Sequence, residues 1–167
     1  MTNATSPEDL ATALVLCLVE KGLTIATAES CTGGWIAKAL TDVAGSSACF
    51  GYGIVSYSND AKARLLNVSE ALIAEHGAVS EPVVRQMAGG ALRISDADVA
   101  VAVSGLAGPS GGTPDKPGGT VWLAYSLRSQ EGPTTEAECV HFDGDRVDVR
   151  RQTVMHALSH ILDRLRS

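Results

Sequence analysis

The sequence predicts a three-layer α/β/α sandwich built on a mixed sheet. Three observations carry this. Short apolar runs alternate with helix-period stretches through the first two thirds of the chain. Residues 98–103 are almost wholly apolar, as a central strand covered on both faces requires. Two strand-like runs, residues 120–127 and 136–142, then follow each other across Gly132-Pro133, a hairpin that makes part of the sheet antiparallel.

Each element has a local reason. Ser6 caps a first helix, Pro7 suits its first position, and Glu8 and Asp9 favour the positive end of its dipole. Leu10, Leu14, Cys17 and Leu18 share one face, and Gly22 stops the helix. Residues 23–28 read as a short buried strand, 29–34 as a turn and 35–40 as a helix. Residues 50–57 alternate like a strand. Asn59 caps a helix to Leu66, and Ser69 starts another to Glu75. Ser80-Glu81-Pro82 opens a longer helix with Val84, Met87, Ala88 and Ala91 on one face. A loop rich in Gly and Pro fills residues 104–119, and Asp145 caps a last helix to Leu165. No repeat or linker interrupts this order, so residues 1–167 read as a single domain, with residues 1–6 as a flexible start.

Composition narrows the function classes. A hydrophobic fraction of 45% provides a core, and with only 4% aromatics small aliphatic residues must fill it. Acidic residues outnumber basic ones 19 to 13, for a net charge of -6. That excludes a general nucleic-acid or anionic-membrane surface but leaves room for a local basic pocket. No apolar run approaches the roughly 20 residues that cross a bilayer, and the polar, acidic start is unlike a signal peptide. Cys17, Cys31, Cys49 and Cys139 are scattered without a CxxC pair, which argues against a disulfide framework or structural zinc. A cytoplasmic protein is the natural reading.

Four segments can carry chemistry. Glu29-Ser30-Cys31-Thr32-Gly33-Gly34 joins a strand end to a helix start, where α/β sheets place ligands and free helix amides can meet an anion or oxyanion. Ser30 there is either a nucleophile or, like Thr32, an ordinary cap; Cys31 is a rival nucleophile or an inert packed thiol. Tyr57-Ser58-Asn59-Asp60-Ala61-Lys62 is a second strand-to-helix joint. A lysine in a first helical turn is disfavoured as a cation, which suits a neutral base, although a solvated surface lysine fits the spacing too. The third segment, Ser104-Gly105-Leu106-Ala107-Gly108-Pro109-Ser110-Gly111-Gly112, offers bare amides to a phosphate or is a flexible crossover; it is not a Walker loop. In the fourth, Gly144-Asp145-Arg146 followed by Arg150 and Arg151, Arg146 at a helix start either serves an anion or pairs with Asp148 or Glu136. His156 and His160 stand four apart, but Ala157 occupies the place of a zincin glutamate, so they read as packing or surface residues.

Taken in order, Ala28-Glu29-Ser30-Cys31-Thr32-Gly33-Gly34, Gly45-Ser46-Ser47, Tyr57-Ser58-Asn59-Asp60-Ala61-Lys62, His76-Gly77-Ala78-Val79-Ser80, Ser104-Gly105-Leu106-Ala107-Gly108-Pro109 and Gly119-Thr120-Val121 resemble the competence/damage-inducible protein A C-terminal domain family, the nicotinamide-nucleotide amidases. The resemblance implies hydrolysis of nicotinamide mononucleotide to nicotinate mononucleotide and ammonia, in pyridine nucleotide recycling, by a Ser/Lys pair without metal or other cofactor. It implies Ser30 as nucleophile and Lys62 as general base, with Tyr57 and the amides near Thr32 and Gly33 in support. Ser104, Gly105, Gly108 and Arg146 would line the site of a small-molecule nucleotide, and a homo-oligomer is implied. Longer members carry a further N-terminal domain not matched here, which implies a stand-alone amidase. Where relatives often read Lys-Pro-Val-Gly-Thr, this chain has Lys116-Pro117-Gly118-Gly119-Thr120. Two other readings are a non-catalytic nucleotide-binding module of the same fold and a thiol enzyme using Cys31.

Overall fold

The first helix, α1 (Pro7–Lys21), starts where the Ser6 hydroxyl accepts the Asp9 amide at 3.1 Å. It ends where Gly22 takes φ 65°, a left-handed cap open to glycine without strain. The computed structural model describes residues 6–167; apart from Ser6, the expected flexible start lies outside the described residues.

After α1 come β1 (Ile25–Glu29), α2 (Trp35–Thr41), β2 (Phe50–Val55), α3 (Asn59–Leu66), α4 (Glu70–His76), α5 (Glu81–Ser95), β3 (Val99–Gly105), β4 (Thr120–Leu127), β5 (Thr134–His141) and α6 (Arg146–Arg166). The strands form one sheet in the order β2-β1-β3-β4-β5. β1 runs parallel to both β2 and β3, whereas β4 is antiparallel to β3 and β5. This is the mixed sheet that the hairpin predicts.

Side-chain alternation divides the core into two layers. Val99, Val101 and Val103 of β3 pack with Leu14, Leu18, Leu158 and Ile161 of α1 and α6 and with Ile36 of α2. Ala100 and Ala102, with Ala26 and Ala28 of β1, face Val83, Val84, Met87 and Ala91 of α5. The methyl-sized side chains on this second face let α5 lie close. At Gly90 of α5 a Cβ would stand 2.2 Å from the Leu66 carbonyl oxygen, so the end of α3 rests directly on that glycine. That contact seats the helix carrying Lys62.

Three local expectations are corrected. The cap of α3 is Ser58, whose hydroxyl accepts the Ala61 amide at 3.0 Å; Asn59 is the first helical residue. β3 runs on through Ser104 and Gly105, which pair with Trp122 and Val121, so the long loop begins at Leu106. β2, an exposed edge strand, ends at Val55 rather than at residue 57. No described helix is long and apolar enough to cross a membrane.

Candidate active site

Parallel pairing brings the carboxyl ends of β1 and β3 side by side, with Glu29 opposite Val103. The next amide, Ser30, donates to the Val103 carbonyl at 3.0 Å. The chain leaves β2 through Ser56 and Tyr57 and turns into α3, which points Lys62 back under the same sheet end. The Lys62 ammonium nitrogen then lies 3.0 Å from Ser30 Oγ, 2.9 Å from the Ser56 carbonyl and 3.1 Å from the Tyr57 carbonyl.

Lys62 is 1% exposed and forms no ion pair among the described residues. Burial holds its pKa below the ordinary lysine value, because the charged form loses water and gains no carboxylate. Asp60, the nearest acid in sequence, turns outward to Arg64 at 2.7 Å. A neutral amine has two N–H bonds and one lone pair. Two carbonyls take the hydrogens, so the lone pair is left for the Ser30 hydroxyl proton. The Tyr57 carbonyl thus supports the pair, while its exposed ring hydroxyl accepts from Arg146 at 3.1 Å.

The turn after Ser30 is held from both sides by Glu29 and Arg150, which stand inside two of the candidate segments but were given no part of their own there. The buried Glu29 carboxylate accepts the Ile36 amide at 2.8 Å, the Ala37 amide at 3.0 Å and the Thr32 hydroxyl at 2.7 Å. It caps α2, because Gly34 at the cap position has no side chain to do so. Arg150 of α6 donates to the Cys31 and Thr32 carbonyls, at 3.0 Å each, and lies over the Trp35 ring. Glu29 stands immediately before Ser30 and Arg150 one helical turn after Arg146. Those were the available sequence signals.

A cavity of about 270 Å³ opens above the pair, lined by Ser30, Cys31, Tyr57, Asn59, Lys62, Ala78, Val79, Ser104, residues 105–108, Ser110 and Arg146. Thr32 and Gly33 lie outside it, on a neighbouring cleft with Trp35 and Arg150. Glu29 occupies the Ile36 and Ala37 amides of α2, and the Gly33 amide donates to the Ser30 carbonyl at 3.0 Å. Ser104 donates to the Ala78 carbonyl at 2.8 Å, and Lys116 reaches the His76 and Val79 carbonyls at 3.2 and 2.8 Å. These bonds tie the wall at residues 76–79 to β3 and to the long loop.

Arg146 donates to the Gly108 carbonyl at 2.9 Å as well as to Tyr57 and forms no ion pair among the described residues. Asp148 pairs with Arg151, and Glu136 with His160 and Arg164, so neither expected carboxylate partner holds Arg146. The start of α6 is closed by Asp145 and Asp148, each accepting the other's amide. The helix end is thus furnished with carboxylates, which repel an anion, and the guanidinium alone reaches from α6 to the cavity rim.

Glycines shape the loop unequally. Gly119 has φ 93°, and a Cβ there would meet the Phe142 carbonyl oxygen at 2.1 Å. Gly118 is exposed, has an ordinary φ, and would place a Cβ 3.5 Å from the Gly108 Cα. Gly119→Ala should therefore destabilise the protein by about 1–3 kcal/mol. Gly118→Val should stay within about 0.5 kcal/mol of the parent. Thermal melts of the two variants check this, and equal losses would contradict it.

Cys31 is buried beside the pair, and burial pushes its thiol pKa up to about 12. A protonated thiol is a poor nucleophile near neutral pH. Cys31→Ala should keep catalytic turnover within a few-fold of the parent, and abolition with the fold intact would revive the thiol mechanism.

Comparison with known proteins assigns the class. Residues 7–165 match the family described as the CinA C-terminal domain, and the chain belongs to that family. Among its relatives is the nicotinamide-nucleotide amidohydrolase PncC of Escherichia coli strain K12, 57% identical over 141 residues, 84% of each chain. The protein of that name from Enterobacter agglomerans is 49% identical over 92% of both. The crystal structure of the competence damage-inducible protein A (ComA) from Klebsiella pneumoniae subsp. pneumoniae MGH 78578 superposes with a TM-score of 0.91 at 39% identity, covering 96% of this chain and 98% of that one.

Proposed function

We propose that the protein is a nicotinamide-nucleotide amidase, a single domain over residues 1–167 that converts nicotinamide mononucleotide to nicotinate mononucleotide and ammonia. One observation carries the mechanism: a buried lysine without a counter-charge stands 3.0 Å from a serine hydroxyl at the floor of a cavity. Neutral Lys62 takes the Ser30 proton as Oγ attacks the carboxamide carbon. The oxyanion is met by N–H groups of the cavity wall; the Ala107, Gly108 and Ser110 amides have no acceptor among the described residues. The Lys62 ammonium returns the proton to the leaving nitrogen, and ammonia departs from an ester on Ser30. Water, deprotonated by neutral Lys62, attacks that ester, and the Lys62 ammonium returns the proton to the departing Ser30 Oγ, which frees the acid and restores the pair. Amide and water become acid and ammonia, with no metal or redox step. Names carried by relatives at 57% and 49% identity support the substrate. Net charge -6 supports the absence of nucleic-acid and anionic-membrane partners. Exposed Tyr52 and Val55 on the edge strand β2 support a homo-oligomer, and four unpaired cysteines support the cytoplasm as its place of work.

Incubation of the purified protein with nicotinamide mononucleotide should release ammonia and nicotinate mononucleotide in equal amounts. Binding without ammonia would leave the non-catalytic module instead. Arg146 is the phosphate contact in this reading, so Arg146→Ala should weaken nucleotide binding by about 1.5–3 kcal/mol. The nucleoside, lacking the phosphate, should lose little further. Two substrates against two proteins decide the matter, and equal harm to both substrates would make Arg146 structural.

A further inference from the structure

A second side-chain cluster lies on α6 and β5, far from the cavity. His156 and His160 stand one helical turn apart on α6 and face Glu138 of β5. Glu138 Oε1 is 2.8 Å from His156 Nε2 and 3.2 Å from His160 Nδ1. One atom from each residue forms a set lying mutually within 4.8 Å. Around a four-coordinate zinc, donors at about 2.0–2.1 Å stand about 3.3 Å from one another. The Glu138–His160 separation already matches this, and a small shift of His156 away from Glu138 and of the imidazoles towards each other completes the set.

The surroundings are those of a supported metal site. The remote nitrogen of His160, Nε2, meets the Glu136 carboxylate at 3.2 Å, and Arg164 holds that carboxylate at 3.0 Å. A ligating imidazole is ordinarily fixed by such a carboxylate on its other nitrogen. Tyr125 donates to Glu138 at 3.0 Å and stacks on the His160 ring with centroids 3.9 Å apart. Three donors thus converge on one oxygen of Glu138, two of them imidazole nitrogens whose hydrogens a cation would replace. The side chains of Glu138, His156 and His160 remain 28–34% exposed, which leaves an entry path and a place for a water ligand. Two imidazoles and one carboxylate suit zinc and its neighbours better than calcium or magnesium.

We infer that Glu138, His156 and His160 form a binding site for a divalent transition-metal ion, zinc foremost. The ion would clamp the edge strand β5 to the terminal helix. Its role is structural: His156 is ten residues along α6 from Arg146, about 15 Å on the helix axis. The sequence shows only the i, i+4 histidine pair, because the third ligand comes from a strand 18 residues earlier.

Calorimetric titration of the chelator-stripped full chain with zinc chloride tests this. One ion per chain should bind, and zinc should raise the melting temperature relative to excess EDTA. His156→Ala and Glu138→Gln should each weaken binding at least about tenfold, and Glu136→Gln about tenfold through His160. His76→Ala, a histidine on α4 outside the cluster, should leave zinc affinity unchanged. Circular dichroism of each variant establishes that it is folded. Should His156→Ala fail to fold, Glu138→Gln and Glu136→Gln decide the matter. Absence of one-to-one binding in the parent overturns the proposal, as does binding that folded cluster variants retain undiminished.

Discussion

Ser30→Ala should reduce ammonia release from nicotinamide mononucleotide by at least about a hundred- to a thousandfold, with nucleotide binding largely kept. Its hydroxyl faces the Lys62 amine at 3.0 Å and makes only a long 3.5 Å contact to the Tyr57 carbonyl. The turn itself is held by other groups: the Ser30 amide on Val103, the Gly33 amide on the Ser30 carbonyl, and Glu29 and Arg150 beneath. Removing one oxygen therefore costs chemistry rather than fold. Single-turnover assays with a binding titration measure both effects. Release at the parent rate would show that another group attacks the carboxamide. A large fall in melting temperature would show that Ser30 mainly holds the turn.

Lys62→Arg should fail almost as completely as Lys62→Met. Arginine keeps the charge but cannot give up a proton near neutral pH, and its planar fork does not fit a pocket built around one nitrogen and three oxygens. An active arginine variant would reduce Lys62 to a source of positive charge. The parent should show the complementary pH dependence. Because burial lowers the Lys62 pKa, the neutral amine gains population as pH rises through that lowered value, below the usual value of about 10.4. Activity should climb across this window and then level off. A profile flat from about pH 6 to 9 in single-turnover measurements would exclude a lysine base.

Element order and most helix ends were legible because their causes are local. Ser6 with Gly22, Ser69 and Asp145 act within a few residues of the ends they define. The exception, Asn59 for Ser58, arose because both are capping residue types and only φ and ψ distinguish them. The edge position of β2 was not legible, since a strand's neighbours depend on pairing rather than on its own alternation. Ser30, Lys62, Ser104 and Arg146 were named from strand and helix ends, and all four line one cavity. Thr32 and Gly33 were placed by the same reasoning and line a neighbouring cleft instead, a position that only the packing of α2 against Arg150 decides.

The sequence by itself determined the succession of strands and helices, the mixed sheet and the residue types at the strand ends. Periodicity and capping are properties of neighbours along the chain. Only the tertiary structure decided that, among the described residues, Lys62 is buried without a counter-charge, Arg146 is free of carboxylates, and Glu138 joins two histidines. Each depends on distance between segments far apart in the chain. Desolvation, which lowers the Lys62 pKa, does not exist until those segments close around the amine.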